Sequence, residues 1–276
     1  MLCRSSGHTA DRRPVEEGSH GDLAEIHRNE SRSHVLPPGR YLEMLRTEVD
    51  AFADVVRRGD LGSPVPSCPG WDLTALIAHL GSIHRWARHC VSDAPQPVSV
   101  PGPGSDRAVW VSWFTSGADT LIDTLAAADP DTSCRTFGPP GTVRFWLRRQ
   151  ALETTVHRWD AQATGGQPAP IEPDVAADGL HEVQEVFVPR QLALGRLRAQ
   201  PGVLRLAATD VPGSVVDIVA SGAPAGQGQS PTATASGPAA ILFLVLWKRT
   251  PPGTPLLYLS GDRTEAHRIL TAPLTP

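Results

Sequence analysis

The sequence predicts an α+β chain, with an N-terminal four-helix bundle over residues 38–166 followed by a smaller α+β domain over residues 171–276. Three observations predict it. Between Tyr41 and Thr164 four stretches of similar length read as helices, three of them by apolar residues at helical spacing. The texture then changes at the linker TGGQPAPIEPD. Beyond that linker, short β-branched or apolar segments are bounded by glycine and proline, as strands are.

Residues 1–37 are polar, rich in Ser, His, Arg and Glu, and carry no sustained apolar period, which predicts a disordered tail. From Tyr41 to Arg58 the positions Leu42, Leu45, Val49, Phe52, Val55 and Val56 form a helical stripe, with Gly59 placed as a C-cap. The loop SPVPSCPGW leads to Asp72, an N-cap residue. After it Leu73, Leu76, Ile77, Leu80, Ile83 and Trp86 form a second stripe. Residues 95–104 break the pattern, and a third helix follows over Asp106–Ala128 through Val109, Trp110, Trp113, Leu121 and Leu125. Thr142, after Pro139, Pro140 and Gly141, can cap a fourth helix reaching about Thr164. Four such helices joined by loops predict an antiparallel bundle. Asp174–Arg198 reads as helical. The segments GVLRLAAT, SVVDIVAS, PTATASG and PLLYLSG read as strands, with a helix over Pro238–Lys248 among them.

Composition narrows the function. The 276 residues carry 29 acids and 25 bases, a formal charge of -4, with no basic cluster to attract nucleic acid or an anionic membrane. No apolar run approaches the roughly 20 residues of a membrane helix. Cys3, Cys68, Cys90 and Cys134 form no CxxC pair and follow no apolar signal-peptide core. They read as reduced thiols, and a cytoplasmic monomer acting on a small molecule is expected. Lys248 is the only lysine among many arginines, a bias of a GC-rich genome rather than a sign of function.

The stretch ALETTVHRWDAQ places Glu153 and His157 four residues apart, on one helix face, where both can reach one metal ion. Such pairs are also common on solvated helices. His79 sits within the second stripe, in LTALIAHLGSIHRW, and should face the bundle interior, where it needs either a hydrogen-bond partner or a metal. Bundle cores are recurrent places for metal sites. His84 and His89 project from other faces of that helix.

Two segments, VPSCPGWDLTALIAHLGSIHRW and ETTVHRWDAQ, resemble the mycothiol-dependent maleylpyruvate isomerase family, and GPAAILFLVLWKRTPPGTPLLYLSGD is similar to that family's C-terminal domain. The resemblance spans about Leu36 to Leu270. It implies a DinB-like bundle holding a metal, usually zinc, on two His and one Glu, matched here by His79, Glu153 and His157. It also implies mycothiol as thiol cosubstrate. Cys68, in the loop of the motif, reads as packing. Asp160, one turn beyond His157, can orient a ligand or a substrate amine, or form a surface salt bridge.

Two His and one carboxylate leave coordination positions open, as catalytic sites do, and the same set can hold Fe(II). A free thiol with pKa near 8.5 is only a few per cent ionised at neutral pH, and metal binding deprotonates it. The implied reaction is cis–trans isomerisation of a maleylpyruvate-like enoyl keto acid. Arg249, in LWKRT, is the candidate cation for the charge developing on the keto oxygen, or simply a helix C-terminal charge. A mycothiol S-transferase, a non-catalytic metal and thiol sensor, and a metal-water hydrolase remain as alternatives. A hydrolase needs a general base beside the metal, for which only Asp160 offers itself. A sensor needs no electrophile pocket from a second domain.

Overall fold

Four long helices come first in the chain, and the first three follow the apolar stripes. They are α1 (Pro38–Arg58), α2 (Leu73–Ser92), α3 (Arg107–Ala127) and α4 (Val143–Ala163). The computed structural model describes residues 35–93, 100, 102, 106–221 and 230–276. The tail expected over residues 1–37 thus lies outside the described residues up to residue 34. Asp72 caps α2 as its residue type predicts, its carboxylate accepting the Ala75 amide at 2.8 Å. Thr142 stands at the N-cap of α4 without a side-chain cap bond. Before it, two short strands, β1 (Ser133–Cys134) and β2 (Gly141–Thr142), pair antiparallel and turn the chain into α4.

α1 packs on α3 and α4, and α2 on α3 and α4, around a core that includes Phe52, Leu76, Ile77, Leu80, Phe114, Leu121, Trp146 and Leu152. The close approach of α2 and α3 depends on Gly81, because a Cβ there would lie 2.3 Å from the Trp113 ring. α4 differs from the others. It buries residues on every side, including Arg149, Gln150, Thr154, Thr155, His157, Arg158 and Asp160. A helix buried all round has no solvent face to be polar, so its polar residues serve internal pairs. Thr154 and Thr155 return their hydroxyls to the carbonyls of Gln150 and Ala151 at 2.7 and 2.9 Å.

The second half of the chain covers the outer side of α4, where Arg148 and Arg149 meet its acids. The segment 164–172 has no regular structure beyond turns. The helix α5 (Pro173–Glu182) then runs into a π turn at Val183–Phe187 and on to α6 (Val188–Ala193). Pro189 explains the widened turn. It offers no N–H and its ring clashes with the carbonyl four residues back, so the ladder widens ahead of it. A four-stranded sheet completes this half, in the order β4 (Val215–Val219), β3 (Val203–Ala208), β5 (Ala233–Gly237), β6 (Tyr258–Gly261). β3 and β5 run parallel, with Leu204 opposite Ala233. The outer pairs are antiparallel, with Leu204 opposite Ile218 and Ala235 opposite Leu259. The apolar helix α7 (Ala239–Leu246) packs against α5, where Gly179 lets the Phe243 ring approach to a distance that a Cβ would forbid. The last helix, α8 (Arg263–Thr271), begins at Asp262, whose carboxylate accepts the amides of Thr264 and Glu265 at 3.0 Å.

The chain is an α+β fold. Polar ties join its two parts: Tyr41 donates its hydroxyl to Asp178 at 2.9 Å, and Arg148 reaches Asp178 and Glu185. Arg158 ties α4 to α1 through Glu48 and to the linker through the Ala169 carbonyl. All described elements belong to one compact unit, His34–Pro276. Among the described residues no helix is long and apolar enough to cross a membrane.

Candidate metal centre and active-site cavity

Two antiparallel helices supply facing ridges. On α2 the residues His79, Ile83 and Trp86 follow at intervals of four and three. On α4, Trp146, Gln150, Glu153 and His157 follow at four, three and four, so each set shares one face. His79 meets His157, their ring centroids 5.0 Å apart, and Trp86 meets Trp146 at 5.1 Å. Between the ridges lies a cavity of about 480 Å³. The Ser67–Pro69 loop and Trp71 close one end, and Phe137, Phe187, Arg190, Trp247 and Arg249 complete the wall.

The three candidate ligands converge at the first end. One donor atom from each of His79, Glu153 and His157 lies within 4.8 Å of the others. Glu153 Oε1 stands 3.5 Å from His79 Nε2 and 3.3 Å from His157 Nε2. Two ligands on one ion, with bonds of roughly 2.0–2.2 Å at a tetrahedral angle, sit about 3.4 Å apart. The donors are of the N and O types zinc takes, so the residues present fit a divalent ion. His79 is the partly exposed member, 34% accessible against 8% for His157, and opens the group to the cavity.

Each donor is held by a neighbour. Asp160, one turn on from His157, accepts its Nδ1–H at 2.9 Å, which turns Nε2 towards Glu153 and His79. The same carboxylate accepts Ser67 Oγ at 2.5 Å and both Nε and Nη2 of Arg249, at 3.0 and 2.6 Å. Arg149 occupies the other oxygen of Glu153, donating from Nη2 to Oε2 at 2.7 Å, and its second arm bonds the buried Glu182. Burial favours the neutral form of both acids. Even so, Arg149 and the two histidines hold Glu153 well below the carboxylate range, and His157 and Arg249 do the same for Asp160. Glu182, wholly buried, is pushed up to about 7 by desolvation against the pull of Arg149. Burial opposes a charged His157, yet the hydrogen bonds to Asp160 and Glu153 outweigh it and raise the imidazole to about 8. The electrostatics therefore favour a cation between these carboxylates, and a metal ion would displace the Nε2 proton.

The profile of the mycothiol maleylpyruvate isomerase N-terminal domain matches residues 42–162, and that of the MDMPI C-terminal domain matches residues 174–268. The chain belongs to the mycothiol-dependent maleylpyruvate isomerase family. Crystal structures of the mycothiol-dependent maleylpyruvate isomerase and of a mutant of it share its fold. Their TM-scores are 0.57 and 0.58, at 17% and 16% identity, over 82% of this chain and 94% of theirs. An uncharacterized protein of Mycobacterium tuberculosis, found in two strains, is 27% identical over 153 residues, 51% of this chain and 76% of its own.

Within this family fold, the structure brings all five sequence-predicted site residues to one cavity end. Asp160 is fully buried, and its oxygens are engaged by Ser67, His157 and Arg249, with the Cys68 thiol 3.7 Å away. It therefore lies behind the donor set and offers no oxygen to a substrate amine. Arg249 lines the cavity with its guanidinium forked onto Asp160 and a third donor on the Trp247 carbonyl at 2.7 Å. Cys68 lines the cavity as well, its thiol raised by burial and by Asp160. His84 is wholly buried and pairs through Nε2 with Thr154 at 3.0 Å. Sequence reasoning missed Arg149, Glu182 and Gln150. Arg149 and Gln150 stand four and three residues before Glu153, the spacing that already singled out His157. Glu182 carries no such signal.

Proposed function

We propose that this protein is a mycothiol-dependent, metal-assisted enzyme that isomerises a maleylpyruvate-like cis-enoyl keto acid. The observation that carries the reading is the convergence of His79, Glu153 and His157 on the wall of a cavity large enough for a thiol and an electrophile. His79, Glu153 and His157 would hold a divalent ion, zinc by its suitability for thiols, which when bound lowers the thiol's pKa and supplies thiolate at neutral pH. The division into residues 38–166 and 171–276 would then be one of labour, the first part supplying the donors and the second Arg249.

Isomerisation requires a transient C–S bond at one alkene carbon while the π pair passes to the keto oxygen. Rotation about the new single bond follows, and return of the electron pair expels the thiolate and leaves the trans alkene. The chain's own residues prepare this. Asp160 fixes the His157 tautomer, and Arg149 holds one oxygen of Glu153 so that the other faces both histidines. Arg249, forked on Asp160 at the cavity wall, provides a fixed positive charge near the keto oxygen, where an organised donor is worth most. The aromatic wall excludes water that would compete for the electrophile.

A second reading, mycothiol S-transfer in detoxification or biosynthesis, keeps the first bond-forming step and omits the expulsion. The aromatic far end of the cavity favours it, by offering room for a larger electrophile. The test is metal content, calorimetry with mycothiol, and turnover of maleylpyruvate by the metal-loaded protein. Thiol-dependent formation of the trans acid is expected, whereas a stable adduct supports transfer. Absence of thiol binding overturns both readings and leaves a metal-binding protein.

A further inference from the structure

The far end of the cavity holds an unmatched polar group in an apolar cage. Gln150 is wholly buried and lines the cavity. Neither its amide nitrogen nor its amide oxygen has a partner among the described residues. Leaving a buried donor or acceptor unpaired costs on the order of 1–3 kcal/mol, and native structures seldom tolerate both on one side chain. Trp86, Phe137, Trp146, Phe187 and Trp247 line the same cavity. The Phe137 ring is nearly parallel to Trp86 at 6.3 Å, and Phe187 meets Trp247 edge-on at 5.1 Å. Trp247 Nε1, also buried on this wall, is likewise without a partner among the described residues.

Charge argues against a second carboxylate at this end, so the ligand remains the cis-enoyl keto acid of the proposed function but gives up the far carboxylate of maleylpyruvate. Of the three arginines lining the cavity, Arg149 is committed to Glu153 and Glu182, and Arg249 to Asp160. Arg190 covers the Phe137 ring at 4.5 Å and bonds the Phe137 carbonyl, and among the described residues it has no carboxylate partner. The lining at this end is chiefly aromatic, and Arg190, which has no carboxylate partner among the described residues, is laid on a ring.

We infer that the electrophile is an aroyl alkene: an aromatic body in the cage, a carbonyl bonded by the Gln150 amide on the wall shared with Arg249, whose charge it meets, and the activated double bond extending towards the donor set. Helical rise sets the lengths. Trp86 lies about 10 Å along α2 from His79, and Gln150 about 4.5 Å along α4 from Glu153, so ring, carbonyl and alkene follow in that order. The direction of the alkene rests on the reading of the His79, Glu153 and His157 end as the thiol site. The placement of ring and carbonyl does not.

The experiment separates the two. Binding of two unreactive saturated acids, 4-oxo-4-phenylbutanoate and 4-oxopentanoate, is followed by quenching of tryptophan fluorescence with neither metal nor thiol present. They differ only in phenyl against methyl. Wild type should bind the phenyl compound at least tenfold more tightly, as expected from burying a ring-sized apolar area. Trp86→Ala should abolish most of that preference. Gln150→Leu, nearly isosteric and checked for an unchanged melting profile, should lose about tenfold for the phenyl ketone. Rescue of binding by Gln150→Asn or Gln150→Glu is not expected, because their amide or carboxyl is misplaced or charged. Equal binding of the two acids overturns the aromatic assignment, and full binding by Gln150→Leu overturns the role of the amide. If both acids behave as expected but mycothiol fails to convert cis-4-oxo-4-phenylbut-2-enoate, the thiol reading fails and the ligand class stands.

Discussion

The two ends of the cavity are built from the same pair of helices and are finished in opposite ways. At the donor end every carboxylate is engaged by the protein itself: Glu153 by Arg149 and two histidines, Asp160 by Ser67, His157 and Arg249. At the aromatic end Gln150 and Trp247 Nε1 are left without partners among the described residues. A group that is held from behind is fixed before anything binds, which is what a metal or transition-state charge requires. A group left unmatched makes its bond only when a ligand arrives, and that is how a site selects. On the proposed reading, the first end serves the chemistry and the second the choice of ligand.

The largest effect expected from breaking this contrast is at the proposed metal donors. His157→Ala should reduce bound divalent metal from about one ion per chain to nearly none, read by elemental analysis after dialysis, while the aromatic end keeps its ligand. Full metal content in that variant would remove His157 from the donor set. Next comes Arg249. Its replacement by alanine should leave metal and thiol binding in place and lower turnover about a hundredfold, the scale of deleting one oxyanion donor. Arg249→Lys should recover little of the rate, because a single ammonium cannot fork onto Asp160. Unchanged turnover would make Arg249 a structural clasp only. Asp160→Asn should weaken metal affinity by about 10–100-fold, as loss of a carboxylate behind a ligating histidine does. An effect as large as that of His157→Ala would mean that Asp160 reaches the ion itself.

The contrast also explains what could be read from the sequence. Three apolar stripes marked α1 to α3 because each of those helices repeats apolar residues towards the bundle, the loop before Thr142 marked the start of α4, and Asp72 announced the cap of α2. The nearness of Glu153 and His157 was legible from their spacing, and the facing of His79 towards them from its place in an apolar stripe. The arginines behind the donors were harder. Arg149 looks like one half of an ordinary helical Arg–Glu pair, and only the burial of α4 on both sides makes it a charge within the core. Glu182 and the π turn lie in the other half of the chain and meet the site only through long-range packing. Gln150 had the same face as Glu153 and His157, yet nothing in a sequence says that an amide will lack a partner. α8 was missed although Asp262 with Glu265 three residues later is a capping signature.

The smallest effect concerns a histidine on the same helix as His79 that the cavity does not use. His84 is wholly buried, and desolvation lowers its pKa to about 3 from the usual 6.5, although Glu153 pulls the other way. The folded protein therefore keeps it neutral where the unfolded chain would protonate it. Its contribution is fully present above pH 6.5 and is lost as pH falls from there towards 3. Between pH 6.5 and 5 one such group accounts for up to about 2 kcal/mol, or roughly 5 °C in melting temperature for a chain of this size. His84→Leu, which sacrifices the Thr154 hydrogen bond, should melt lower than wild type at pH 7 and lose less on acidification, so the two profiles converge as the pH falls. Melting curves at pH 7 and pH 5 on both proteins, with metal removed from each, provide the measurement. Parallel profiles would mean that His84 titrates normally, and that water reaches this part of the bundle core.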